Sequence, residues 1–244
     1  MISLKISSLA ALVIAGVALN TEAAAINTQQ CSSFQQNFTV GSDLTQYWKD
    51  MDSTTYDLTS QGLEMKVNNP NGDGKVGNGA LFNSKMLMQY GSIEAKIKAA
   101  PVGGIVTAFI FMAPGKDEID YEWVGDQVQS AYYYRGIPDY STEASVTLET
   151  GTTDFHIYKI DWQPDAITWY IDGKPIRTVE KNSTLESDNQ YHYPTEASHF
   201  QLGLWDASGD ASTAKWAHGP IDWSDHPGHV SAFVEYVNVE CNSN

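Results

Sequence analysis

Residues 117–124 read Asp-Glu-Ile-Asp-Tyr-Glu-Trp-Val, so three acidic side chains stand two residues apart. Because side chains alternate between the two faces of a β-strand, Glu118, Asp120 and Glu122 would share one face. The apolar and aromatic residues between them would face a core on the other side. Neighbouring carboxylates repel one another and raise the pKa of at least one member, a property that suits a general acid. The spacing therefore predicts a catalytic cluster of carboxylates.

Two further interpretations of this acidic segment are open. The first is a solvated strand edge, which is disfavoured because acidic residues are poor strand formers and like charges on one face repel. The second is a site for calcium or magnesium, which both prefer carboxylate ligands, but the Asp-x-Asp-x-Asp-Gly loop typical of calcium sites is absent. We rank catalysis above metal binding.

Histidines supply the other conceivable metal ligands. His226 and His229 stand three residues apart, near Asp222 and Asp225. A surface loop containing Pro and Gly explains this segment better, because no tight ligand spacing such as His-Glu-x-x-His occurs. We expect neither a bound metal nor a cofactor.

The elements that would position the acidic segment are strands. Residues 104–112 form a continuous apolar run, typical of a buried strand, and a turn over 113–116 leads from it into the acidic strand. Asp172-Gly173 lies between two strand-like runs and predicts a type I′ hairpin. Further strands are predicted over 62–67, 90–98, 128–134, 155–162, 200–205 and 233–239, with long loops within 41–80 and 182–198. Short strands without long helices predict an all-β sandwich or jelly roll.

Composition limits the partners. The chain has 244 residues, enough for one β-rich domain, and carries 14 basic and 30 acidic residues for a net charge of −16. Such a charge disfavours nucleic acid and anionic membranes. A neutral glycan is unaffected by this field, and the aromatic fraction of 11% suits sugar binding, although most of these rings would fill a core.

The first 25 residues resemble a secretory signal peptide. Lys5 precedes an apolar stretch over 9–19, which is too short to span a bilayer, and residues 23–25 are three alanines that suit cleavage. We expect a secreted protein whose residues 26–244 form a single domain, without a transmembrane span and as a monomer. The last five residues are polar and carry no lipid-anchor signal, so we expect a soluble protein or an incomplete chain.

Secretion has two covalent consequences. Cys31 and Cys241 are the two cysteines, and in an oxidising compartment they would pair and tie the ends of the domain together, with two free thiols as the alternative. Asn37 and Asn182 each begin an Asn-x-Ser/Thr sequon, which predicts N-glycosylation.

A family resemblance rests on several segments in order. Residues 118–122 match the Glu-Ile-Asp-x-Glu signature of glycoside hydrolase family 16, and the strands over 90–98, 155–162 and 167–173 are similar to those that flank it in that family. The resemblance covers about residues 41–240. It implies a concanavalin-like β-jelly-roll sandwich of two antiparallel sheets.

Within the family, the chain looks most like the fungal Crh-type cell-wall transglycosylases, which join chitin to β-glucan. Residues 117–125, 200–205 and 216–217 carry this likeness. The chain departs from the subgroup at Asp126 and His218, where glycine is usual, and it lacks the extra N-terminal cysteines and the anchored tail of many members.

The resemblance implies roles for the three carboxylates. Family members retain the anomeric configuration, so Glu118 would be the nucleophile and Glu122 the acid and base, with Asp120 between them as an auxiliary group. Retention needs carboxyl groups roughly 5–5.5 Å apart. Cα atoms four residues apart on a strand are roughly 13 Å apart, so side-chain lean and strand curvature must close the gap.

Sugar-binding residues are predicted beside these acids. Gln201, Gly203 and Trp205 alternate onto one face, where the small Gly203 would leave room for a sugar, and Trp216 would add a second ring. Trp205 could instead belong to the core. Tyr134 and Arg135 follow the acidic strand and would line the cleft or an exposed strand face.

The implied activity is a transglycosylase that cleaves chitin and transfers the sugar to β-glucan or chitin. Two alternatives are open: an endo-β-glucanase of the same fold, and a lectin without catalysis. The intact carboxylate trio disfavours the lectin.

Overall fold

The computed structural model describes residues 31–49, 54–72, 76–149 and 151–242. The predicted signal peptide, residues 1–25, lies outside the described residues. No helix in the described ranges is both long and apolar enough to cross a membrane.

Strands dominate the described residues, as the sequence predicted. Fifteen strands are present in them: β1 Phe34–Asn37, β2 Trp48–Lys49, β3 Tyr56–Thr59, β4 Gly62–Asn68, β5 Ala80–Ser84, β6 Gly91–Lys98, β7 Ile105–Met112, β8 Glu118–Val124, β9 Gln127–Tyr133, β10 Ala144–Thr147, β11 His156–Trp162, β12 Ala166–Ile171, β13 Lys174–Glu180, β14 His199–Asp206 and β15 His229–Cys241. A short helix α1 spans Ala211–Trp216, and 3₁₀ turns span Tyr140–Thr142, Lys181–Thr184 and Ala207–Gly209.

These strands form two antiparallel sheets. The front sheet has seven strands in the order β10-β9-β8-β7-β14-β5-β2. The back sheet has eight strands in the order β13-β12-β11-β6-β15-β4-β3, with β1 also paired to β15. The predicted all-β jelly-roll sandwich is confirmed.

The core lies between the sheets and fixes the orientation of β8. Ile119, Tyr121 and Trp123 are at most 1% exposed and belong to the main hydrophobic cluster. Two hydrogen bonds cross from β8 to the back sheet: the Tyr121 hydroxyl donates to the Tyr170 carbonyl, and Trp169 Nε1 donates to the Asp120 carbonyl, both at 2.9 Å. Because strand side chains alternate, the three acids must face away from the core.

The hairpin between β12 and β13 agrees with its prediction. Asp172 and Gly173 have φ values of 50° and 75°. A type I′ turn requires positive φ at both central residues, which Asp and Gly tolerate well. The prediction is confirmed.

Residues 41–80 agree with the prediction of long loops only in part, since residues 41–47 carry no strand but short strands follow them. This segment contains β2, β3 and β4, and Thr59 pairs with Gly62 across a two-residue turn. The polar and glycine residues therefore mark tight turns between short strands, which composition alone does not distinguish from loops. Residues 185–198 carry no strand and agree with the loop prediction.

The two cysteines form the predicted disulfide. Cys31 is bonded to Cys241, and their Cα atoms are 5.9 Å apart. The bond joins the segment before β1 to the end of β15, and β1 itself also pairs with β15. Asn37 and Asn182 are both exposed, and their glycosylation stays a prediction.

Candidate active site

The three acids of β8 form the floor of a cleft on the open face of the front sheet. Its volume is about 580 Å³. The strands beside β8 contribute small or neutral side chains, since Asp120 lies opposite Ile110 on β7 and Ala131 on β9. The cleft is lined by Glu118, Asp120, Glu122, Tyr133, Tyr140, Glu143, Trp205, Ser212, Thr213 and Trp216.

Asp120 is the most buried acid of the cleft, with 1% of its surface exposed. Its two carboxyl oxygens receive no hydrogen bond from a neutral donor among the described residues. Burial first, and then the charges of Glu118 and Glu122, raise the pKa of Asp120 well above its usual value. This shift favours the protonated form of Asp120, which can donate a hydrogen bond to the Glu118 carboxylate.

Glu118 is less enclosed than its neighbours on β8. Burial raises the pKa of Glu118, and the hydrogen bond with Asp120 acts in the opposite direction because it stabilises the charged form. A hydrogen bond donated by Asp120 therefore favours the carboxylate form of Glu118. An ionised carboxylate at this position can act as a nucleophile.

Glu122 has the surroundings of a general acid. Burial first, followed by the charges of Glu118 and Glu143, raises the pKa of Glu122 to about 8. Its carboxyl group keeps its proton at neutral pH and can give it to a leaving oxygen. The two glutamates of β8 therefore differ in their surroundings: the hydrogen bond with Asp120 favours the charged form of Glu118, whereas burial and like charges favour the neutral form of Glu122.

Two tryptophans form one wall of the cleft. Trp205 on β14 and Trp216 on α1 are stacked, with ring centroids 6.3 Å apart and planes inclined by 22°. Trp216 Nε1 donates to Gln129 Oε1 at 3.0 Å, and Asp210 caps α1 by accepting from the backbone N–H groups of Ser212 and Thr213. Both rings are partly exposed, so Trp205 lies at the cleft and outside the main core.

A second hollow adjoins the acids and Trp205. It has a volume of about 310 Å³ and shares Glu118, Glu122 and Trp205 with the cleft. Gln201 and Gly203 line it together with Ala108 and Ile110. The structure thus brings Gln201, Gly203 and Trp205 to one face beside the acids, as the alternation predicted.

Tyr134 and Arg135 do not line the cleft, so their predicted place in it needs correction. β9 ends at Tyr133, whose position opposite Glu118 puts it on the face of the acids. Tyr134 stacks on His192 with ring centroids 4.9 Å apart, and the guanidinium of Arg135 lies 4.9 Å from the Tyr134 ring centroid. Alternation and the positive φ of Arg135, 51°, turn these side chains away from the acids.

Several cleft residues were missed by the sequence reasoning. Tyr133 could have been found, because a two-residue turn at Gly125-Asp126 aligns residue 133 with Glu118. Tyr140 and Glu143 lie on the connection between β9 and β10, where no periodic signal exists. Tyr140 is 74% exposed, and Glu143 accepts a 2.9 Å hydrogen bond from the Tyr133 hydroxyl.

Metal ligands are not gathered in the described ranges. No group of three or more His, Cys, Asp or Glu side chains there could hold a metal ion. His229 Nε2 lies 3.5 Å from Glu64 Oε1, and the backbone carbonyl of His226 accepts from Asn69.

The sequence matches a known protein family and several curated proteins. A family model described as glycosyl hydrolases family 16 matches residues 34–225. Crh-like protein 2 of Aspergillus fumigatus is 43% identical over 176 residues, which are 67% of this chain and 40% of that protein. The chain spans 32–42% of the lengths of eight curated relatives that it matches.

The fold is also similar to several solved structures. Apo Crh5 transglycosylase has a TM-score of 0.75 and 29% identity, covering 87% of this chain and 85% of its own, and the same enzyme in complex with NAG matches equally well. A β-glucanase of Bacillus licheniformis has a TM-score of 0.70 and 23% identity, covering 88% of this chain and 100% of its own, and shares the fold.

Proposed function

The chain belongs to glycosyl hydrolase family 16, and from that premise we propose that it is a retaining transglycosylase. It cleaves a β-1,4-linked glycan, chitin, and transfers the released sugar to a β-glucan or chitin acceptor. The single observation that carries the chemistry is the placement of Glu118 and Glu122 on one face of β8, where both line the same cleft.

In the first step, a Glu118 carboxylate oxygen attacks the anomeric carbon. A bond forms between that oxygen and the sugar, and the glycosidic C–O bond breaks. Glu122 gives its proton to the leaving oxygen, so no alkoxide is released. Asp120 keeps its own proton and donates a hydrogen bond to Glu118, which fixes the orientation of the nucleophile.

In the second step, an acceptor hydroxyl attacks the same carbon. Glu122, now deprotonated, takes the hydroxyl proton, and the Glu118 carboxylate leaves. Two inversions restore the original configuration. If water replaces the acceptor, the same two steps produce hydrolysis.

The acceptor must therefore be held better than water. The stacked rings of Trp205 and Trp216 offer apolar faces to sugar C–H groups, and the hollow with Gln201 and Gly203 extends the surface past the acids. A sugar ring held there has its hydroxyl oriented for attack, an advantage that free water lacks. This arrangement favours transfer.

The choice of chitin as donor has narrower support. A structural relative at 29% identity is a transglycosylase whose structure is also known in complex with NAG, the sugar unit of chitin. The absence of basic side chains from the described cleft lining also suits a neutral glycan. The disulfide favours an oxidising compartment, so we propose that the enzyme acts outside the cell at the wall.

A two-substrate incubation tests this function. The purified full chain is incubated with chitin oligosaccharides, with and without a fluorescent β-glucan oligosaccharide, and the products are separated by mass. We expect labelled hybrid products, which Glu118→Gln and Glu122→Gln should both fail to form. Shortened chitin oligosaccharides without hybrids would indicate a hydrolase, and no reaction would favour a lectin; either result contradicts the proposal.

A further inference from the structure

We infer that Glu143 is a positioning residue whose carboxylate keeps the proton on Glu122 between turnovers. The inference rests on the proposed function, in which Glu122 is the acid of the first step. It adds a fourth carboxylate to the machinery, from an element that neither the family signature nor the strand pattern includes.

The position of Glu143 is built by the turn that precedes β10. The 3₁₀ turn Tyr140–Thr142 is capped by Asp139, whose side chain accepts from the backbone N–H of Ser141. Glu143 follows directly, and its N–H bonds to the Tyr140 carbonyl at 3.4 Å. From there the side chain reaches into the cleft that contains Glu118, Asp120 and Glu122.

Tyr133 fixes the carboxylate itself. Its hydroxyl donates to Glu143 Oε1 at 2.9 Å, and its backbone lies opposite Glu118 in the β8–β9 ladder. The hydrogen bond therefore holds the Glu143 carboxyl group at a defined place beside the acids.

Arg177 links the 3₁₀ turn before Glu143 to the strands around the acids. Its guanidinium donates to the Thr142 carbonyl and to the Ser130 carbonyl, each at 2.6 Å, and lies 4.8 Å from the ring centroid of Trp169. Trp169 in turn donates to the Asp120 carbonyl on β8. The backbone next to Glu143 is therefore tied to the strand that carries the acids.

The charges that face Glu122 are all negative or neutral. Glu118 and Asp120 face it from its own strand, Gln129 and Tyr133 from β9 and Glu143 from the turn before β10. β7 and β14 contribute Ala108, Gly203 and Trp205, and α1 contributes Ser212, Thr213 and Trp216. No Lys, Arg or His is among the described residues that line the cleft, and the Arg177 guanidinium, which bonds to the Thr142 carbonyl, lies outside that lining. The charge of Glu143 is the third cause, after burial and Glu118, that raises the pKa of Glu122 to about 8.

Glu143 differs from Glu118 in one respect that bears on the second step. When Glu118 is bonded to the sugar it carries no charge, so its repulsion of the Glu122 carboxylate is lost. The charge of Glu143 persists through both steps. It therefore keeps Glu122 basic enough to take the proton of the acceptor hydroxyl.

The pH dependence of kcat/KM tests this role, because its alkaline limb reports the pKa of the acid in the free enzyme. Glu143→Gln keeps an acceptor for Tyr133 and removes the charge, so we expect the alkaline limb to move to lower pH by roughly half a unit or more. Glu143→Asp, which keeps the charge, should restore the limb toward the wild-type position. Glu186→Gln, an exposed residue outside the cleft, should leave it unmoved.

A titration that needs no turnover separates this inference from the proposed function. The full chain carrying ¹³C-labelled glutamate carboxyl groups is titrated by NMR, with the Glu122 signal assigned by its loss in Glu122→Gln. A lower Glu122 pKa in Glu143→Gln supports the inference even if no glycan is turned over. An unchanged Glu122 pKa overturns it even if transglycosylation is found. If Glu143→Gln does not fold, Tyr133→Phe, which releases the carboxylate, should move the Glu122 titration in the same direction, and no movement there overturns the inference.

Discussion

Glu118 and Glu122 are the same side chain placed in different surroundings. The hydrogen bond with Asp120 favours the charged form of Glu118, whereas burial and like charges raise the pKa of Glu122 to about 8 and favour its neutral form. The catalytic difference therefore comes from position on one strand and from residues on neighbouring elements. This arrangement should cost stability, because the folded state opposes an ionisation that the unfolded chain allows.

Replacement of Glu122 should reveal that cost. The pKa of Glu122 is raised from 4.5 to about 8, so the unfolded state releases a proton above pH 4.5 while the folded state holds it. The free energy of unfolding then decreases as the pH rises from 4.5 toward 8. Glu122→Gln should raise the Tm by several degrees at pH 8 and change it little at pH 4. Thermal melts at both pH values check this, and an equal shift at both would contradict it.

Trp205 should decide between transfer and hydrolysis. Trp205→Ala removes one face of the stacked pair, and loss of about 1–2 kcal/mol of stacking would weaken acceptor binding roughly tenfold. We expect the ratio of hybrid to hydrolysed products to decrease accordingly, with cleavage retained. Tyr134→Ala is the matched aromatic control, since Tyr134 does not line the cleft. Equal ratios in wild type and Trp205→Ala would remove Trp205 from the acceptor site.

At the scale of elements, β8 is held by its neighbours on both sides. It pairs with β7 and β9 within the front sheet, and its core face bonds to the back sheet through Tyr121 and Trp169. These ties fix the height and register of the acids. The pairing register of β8 therefore matters for the site as much as the acids do, because it decides where their side chains lie.

The hydrogen bond of Tyr121 offers a test of this anchoring. Tyr121→Phe leaves the partly buried Tyr170 carbonyl without that donor, which should cost about 0.5–1.5 kcal/mol of unfolding free energy. Tyr134→Phe removes an exposed hydroxyl contact and should cost less than about 0.5 kcal/mol. Urea denaturation of the two variants compares them directly. Equal midpoints would mean that the bond between the sheets contributes nothing.

The sequence predicts individual elements better than it predicts the contacts between them. The alternation around residues 118–122, the apolar run before them and the Asp-Gly turn are local patterns, and each predicted its element correctly. Tyr140, Glu143 and the anchor Arg177 come together through the β9–β10 connection and the back sheet. No period in the sequence encodes such a contact, because it depends on how two sheets pack. Tyr134 and Arg135 were misplaced for the related reason that the end of β9 was not known.

At the scale of the whole molecule, the cleft and the disulfide bond lie on different sheets. The cleft is on the front sheet, whereas the Cys31–Cys241 bond closes the back sheet at β1 and β15. The bond spans 210 residues of sequence, so it restricts the unfolded chain strongly. We therefore expect the disulfide to affect the stability of the fold more than it affects catalysis.

Removal of both cysteines tests this separation. The double variant Cys31→Ser and Cys241→Ser should lose about 2–5 kcal/mol of unfolding free energy, which corresponds to a lower Tm by roughly 5–15 °C. At 25 °C its kcat/KM should stay within about twofold of wild type. A large loss of activity in the folded double variant would show that the bond also shapes the cleft.

The most direct test of the proposed reaction is to trap the sugar on the protein. Glu122→Gln lacks the base of the second step, so an aryl β-glycoside of a chitin oligosaccharide, whose leaving group needs no proton, should load the enzyme faster than it unloads. Mass spectrometry of the intact chain and of its peptides should find one glycosyl unit on the peptide that contains Glu118, and none after the further change Glu118→Gln. No adduct, or an adduct on another residue, would contradict the assignment of Glu118 as nucleophile.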